Sequence, residues 1–70
     1  MNTEQRFYYL RIIKIIDTYN IIYPESKMDK ETIISSLDSK DTDYYMRTYF
    51  NVMKTYKAKI NTLNEQLHLY

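Results

Sequence analysis

Few residues in this chain could do chemistry. His68 is the single histidine, and there is no cysteine. A Cys-His pair is therefore excluded, and a Ser-His arrangement would lack a well-placed third group to orient the base. As a metal ligand His68 would need partners, and only Glu65 stands at helical spacing from it. Its expected state is a solvated side chain near the end of a helix. Asp38, Asp41 and Asp43 alternate somewhat like a calcium loop. The loop's central glycine and distal bidentate glutamate are missing at the required positions, so these acids read as a turn and a helix cap. With no glycine anywhere, a glycine-rich phosphate cradle cannot be built. The chain reads as non-enzymatic, with no catalytic residue, metal or cofactor site expected.

The remaining chemistry is charge. Ten Lys and Arg against nine Asp and Glu leave a net charge of +1, neither the basic excess of a nucleic-acid binder nor the acidity of a mimic. From Tyr44 onward, however, Arg47, Lys54, Lys57 and Lys59 face only Glu65. Arg47, Lys54 and Lys57 share one helical face, and this is the candidate nucleic-acid surface. A short helix, a turn and a longer helix at Asp29–Leu37, Asp38–Asp41 and Thr42 onward resemble the bare outline of a helix-turn-helix. The turn lacks the customary glycine, and Asp41 and Asp43 would place negative charge where phosphates must approach.

Three segments must position these groups, and the fold class they imply is all-α. The first helix is expected over about residues 3–19. Asn2 can cap it, with Gln5 in the capping-box position. Tyr8, Tyr9, Ile12, Ile13, Ile15, Ile16 and Tyr19 fall in one wide arc, with Arg6, Arg11, Lys14, Asp17 and Thr18 opposite. The run Ile12-Ile13-Lys14-Ile15-Ile16 breaks the alternation a strand needs. Pro24 disfavours helical geometry at Tyr23 and stops the helix before it. Ser26-Lys27-Met28-Asp29 has the form of a capping box, predicting a short helix over about 27–37 that buries Ile33 or Ile34 with Leu37. Without glycine, tight turns needing positive φ are expected to use Asn or Asp.

The third helix, about 42–68, carries the clearest periodicity. Asp41 or Thr42 can cap it. Apolar residues recur at Tyr45, Tyr49, Val52, Tyr56, Ile60, Leu63, Leu67 and Tyr70, in steps of three and four. Such a helix is a rod of about 40 Å, whereas a compact chain of this length is roughly 28 Å across. The rod therefore overhangs the compact chain by about two turns, and a first helix of about 25 Å cannot cover the whole stripe. The overrun predicts self-association through Tyr49, Val52, Tyr56, Ile60, Leu63, Leu67 and Tyr70, packed as a helical dimer. Two-fold symmetry is the commonest solution. The step of four at both Val52-Tyr56 and Tyr56-Ile60 departs from a strict heptad and favours bundle-like packing.

Nine tyrosines in seventy residues point the same way, because tyrosine buries area while tolerating a wet edge. Phe7, Leu10, Tyr44 and Phe50 fall outside the main stripes and are the candidate surface for a partner protein. No apolar run approaches the roughly 18–20 residues of a membrane span. The preference for Ile, Asn, Lys, Tyr and Thr tracks AT-rich codons and suggests a phage or plasmid gene. The expected function is a self-associating interaction module, such as an inhibitor or modulator of a host protein, acting in the cytoplasm. A DNA-binding regulator of helix-turn-helix type and a small structural or scaffold subunit are the alternatives.

Overall fold

A computed structural model describes residues 1–68, and the side chains of residues 1–63. The described residues are all-α: helix α1 (Thr3–Ile22), helix α2 (Lys30–Ser35) and helix α3 (Thr42–His68).

Helix α1 begins at a complete capping box. The Gln5 backbone N–H donates to Asn2 Oδ1 at 2.7 Å, and the Asn2 N–H donates to Gln5 Oε1 at 3.0 Å. It runs three residues beyond the expected stop at Tyr19. Pro24 constrains only Tyr23, which leaves helical geometry at φ −122°, ψ 68° while its N–H still reaches the Tyr19 carbonyl.

Helix α2 is shorter than expected at both ends. Ser26 does not cap it; its N–H donates to the Tyr23 carbonyl in a turn. The cap is Asp29, which accepts from the Thr32 N–H at 3.2 Å and the Thr32 hydroxyl at 2.8 Å. The reason lies in Asn20, whose amide takes both backbone groups of Met28. The Met28 N–H donates to Asn20 Oδ1 at 2.8 Å, and Asn20 Nδ2 donates to the Met28 carbonyl at 3.2 Å. The Met28 carbonyl is thus engaged by Asn20, and α2 starts one residue later, where the Ile33 N–H donates to the Asp29 carbonyl at 3.1 Å. After Ser35 the chain tightens into i→i+3 bonds, and Leu37 lies in the turn rather than in the helix. Ser39 occupies the left-handed region at φ 59°, so the expectation that Asn or Asp would fill such a position is corrected. Neighbouring Asp41 is committed elsewhere: its carboxylate accepts the Tyr44 N–H at 2.9 Å and caps α3.

Helices α1 and α3 run parallel. At one end Asn2 Nδ2 donates to Thr42 Oγ1 and Gln5 Nε2 to the Lys40 carbonyl. Further along, the rings of Tyr8 and Tyr49 stand 5.6 Å apart, and at the far end Lys59 Nζ lies 5.8 Å from the Tyr23 ring. The two positive helix ends therefore sit together, and Glu4, Asp41 and Asp43 place negative charge there. Residues 23–41 return the chain along one side of the pair. The core between them is small: Ile12, Ile16, Leu37, Tyr45 and Val52, with Tyr8, Tyr9, Ile15, Met28, Ile33, Ile34 and Tyr49 packed around it. Tyr19 is also buried.

Starting side by side, a 27-residue helix outruns a 20-residue one by seven residues, or about 10 Å. The molecule is accordingly elongated, 47 × 19 × 13 Å.

Candidate interaction surface

The α2 segment covers one side of the parallel pair. Lys30 Nζ reaches Asp17 Oδ1 at 2.8 Å, and Met28 and Ile33 line a hollow with Tyr44, Thr48 and Val52 of α3. The other side carries no further element among the described residues. There four aromatic rings form a continuous line across both helices. Phe7 meets Tyr8 edge-on at 5.3 Å, Tyr8 meets Tyr49 at 5.6 Å, and Tyr49 meets Phe50 at 5.4 Å. The outer members, Phe7 and Phe50, are 49% and 55% exposed. The Arg11 guanidinium lies over the Phe7 ring at 4.3 Å, a contact that helical spacing of four residues makes natural. Beyond the rings, two shallow hollows continue along the groove. Ile15 and Met53 line both, Tyr49 and Tyr56 one each, and Arg11, Lys14 and Thr18 form the α1 rim.

Of the expected partner-binding residues, Phe7 and Phe50 are thus brought onto one surface. Tyr44 does not join them, and its place in the expected four-residue patch is corrected. Tyr44 faces the α2 side, with Lys40 Nζ 5.4 Å from its ring. Leu10 is exposed on α1, one turn along from Phe7 and outside the hollows. Parallel packing decides this division, because it chooses which flank of each helix is left open.

The expected self-association stripe also divides. Val52 is 5% exposed and belongs to the core between the helices, so it is not a free contact residue. Tyr49 packs on that core, and Tyr56 and Ile60 are half-buried. Leu63, where α3 has passed the end of α1, is exposed. Leu67 and Tyr70 lie outside the described side chains, as do Glu65 and His68.

On the expected nucleic-acid face, Arg47 Nε is paired with Asp43 Oδ2 at 2.8 Å, one turn away. Lys54 and Lys57 are exposed. Asp41 caps α3 and Asp43 pairs with Arg47. Among the described residues no group of three potential metal-ligating side chains gathers, and no helix is long and apolar enough to cross a membrane. One carboxylate is perturbed. The Thr32 hydroxyl, then the Thr32 N–H, hold the Asp29 carboxyl below its ordinary range.

The sequence pattern puts Arg11 and Lys14 on the polar side of α1 and Ile15 in its apolar arc, but it does not join them with Met53 into one surface. Arg11 at i+4 from Phe7 was the one readable signal. No family model matches the chain, and neither a curated protein nor a solved structure shows significant similarity to it.

Proposed function

We propose that the chain is a non-enzymatic protein–protein interaction module that self-associates through the end of α3 and binds a partner protein. One observation carries the reading. Helix α3 continues seven residues past α1, and its apolar spacing continues through Leu63, Leu67 and Tyr70 in the sequence. A second copy of α3 is the simplest cover for such an extension. The composition suits a phage- or plasmid-encoded inhibitor or modulator of a host protein in the host cytoplasm.

Sedimentation across a concentration series tests the self-association, with dimer expected at about tens of micromolar. Leu63→Asp together with Leu67→Asp is expected to yield monomer while the helical circular-dichroism signal of α1 persists. A wild-type chain that remains monomeric throughout the series would end the proposal.

A DNA-binding reading draws on Lys54 and Lys57, which are exposed on α3, though the Arg47–Asp43 pair weakens that face. Binding to random duplex at two salt concentrations tests it. Steep salt dependence abolished by Lys54→Glu and Lys57→Glu would replace the protein-binding reading.

A further inference from the structure

We infer that the open α1/α3 face takes an amphipathic helix of a partner protein whose flanks are acidic. This inference names the partner chemistry for the module proposed above and rests on that reading.

The floor of the groove is apolar, built on Ile15, Tyr49, Met53 and Tyr56, and the aromatic line from Phe7 to Phe50 closes one end. Phe7 to Thr18 is twelve residues of α1, a rise of about 16 Å. Three turns of a docked helix fill that length with anchors at i, i+3 or i+4, and i+7. The rim decides the occupant's charge. Arg11 and Lys14 line the hollows, and no carboxylate does. On α3, exposed Lys57 stands one turn on from Met53 in the same row.

A second copy of the chain fits this face poorly. Two-fold packing would set the Arg11 and Lys14 rim against itself or against Lys57, cation on cation. Single-stranded nucleic acid would suit the charge but wants free ring faces for stacking. Here Arg11 covers a face of Phe7, and Tyr8 and Tyr49 are packed against neighbouring rings. Acidic flanks on an apolar helix complement both features of the groove.

The test uses the full chain and a displayed library of amphipathic helices of about 18 residues, enough for three anchor turns with margins. The apolar stripe varies among Leu, Ile, Met and Phe, and the flanking positions among Glu, Gln and Lys. Helices retained by the wild-type chain are expected to be enriched in Glu over Lys at the flanks. A retained Glu-flanked peptide should bind about tenfold tighter than its Lys-flanked counterpart, the worth of two exposed ion pairs. Arg11→Glu with Lys14→Glu should reverse that preference, while Glu31→Gln on α2, away from the groove, should leave it intact. Three outcomes overturn the inference: no helix retained, retention indifferent to flank charge, or stronger binding to a (dT)12 oligonucleotide that the double Glu variant loses. Sedimentation of the same variants keeps the two readings apart. Arg11→Glu with Lys14→Glu should preserve the dimer that Leu63→Asp with Leu67→Asp dissolves. A monomeric wild-type chain that still selects Glu-flanked helices would refute self-association alone.

Discussion

The side-chain amide of Asn20 brackets the backbone of Met28, accepting its N–H at 2.8 Å and donating to its carbonyl at 3.2 Å. Asn20 lies in the last turn of α1 and Met28 in the returning segment, so this clasp sets where the chain turns back and where α2 begins. Both bonds are part-buried. Asn20→Ala removes donor and acceptor together and leaves two Met28 backbone groups without their partner. The expected loss is about 1–3 kcal/mol of stability, read as a lower denaturation midpoint. Asn20→Asp keeps the acceptor but sets a carboxylate oxygen against the Met28 carbonyl at the negative end of α1, so it should lose at least as much. Equal midpoints for wild type and Asn20→Ala would mean that the clasp adds nothing.

Asp29 links α2 to pH. Its carboxylate accepts two hydrogen bonds from Thr32, which lower its folded pKa. A depressed folded pKa contributes stability that is present above the unfolded value, about 3.9 for Asp, and is lost as pH falls through the folded one. The wild-type advantage over Asp29→Ala should therefore hold from neutrality down to about pH 4 and shrink in stronger acid. Thermal midpoints of both proteins across that range provide the check. A gap that stays constant through the acid limb would show that the carboxylate charge is not the stabilising element.

Ser39 has its backbone at φ 59°, a region that costs a non-glycine residue roughly 1–2 kcal/mol. Asparagine tolerates that region better than serine. Ser39 is exposed, so a change there disturbs no packing. Ser39→Asn should raise stability by several tenths of a kcal/mol, up to about 1 kcal/mol, in denaturant titration. Ser39→Val, β-branched at a left-handed position, should lower it. A reversed order of these two variants would contradict the strain at this turn.

How far these features could be read in advance depended on their range in sequence. The capping box of Asn2 and Gln5, the Asp41 cap and the periodicity of α3 are local, three- and four-residue relationships, and each was visible. The Asn20–Met28 clasp joins residues eight apart through a side chain whose polar ends could have served many partners. It moved the start of α2 from the neighbourhood of Ser26 to Lys30. The parallel direction of α1 and α3 depends on where residues 23–41 carry the chain, and no periodicity encodes that. Val52 was consequently placed on a contact stripe when it is a core residue. Tyr44 likewise falls outside the main stripe with Phe7 and Phe50, and only the packing turns it to the α2 side. The length excess of α3 was legible because it needs only two helix lengths and a rise per residue.

The isoleucines of α1 give the sharpest test of the packing, since they share chemistry and differ in environment. Ile12 and Ile16 are 0% exposed, whereas Ile21 is 80% exposed. Ile16→Ala opens a cavity between α1 and α3, where Leu37, Tyr45 and Val52 complete the core. Such a truncation costs about 2–5 kcal/mol. A chain of this size has a total stability of only about 4–10 kcal/mol, so Ile16→Ala is expected to lose a large share of it and to melt well below wild type. Ile21→Ala removes the same atoms from water-facing surface and gains helix propensity, so its midpoint should stay within about 0.5 kcal/mol of wild type. Circular dichroism of the two variants during heating separates the cases. If Ile21→Ala were the more damaging substitution, the burial pattern of α1 and with it the parallel packing against α3 would have to be abandoned.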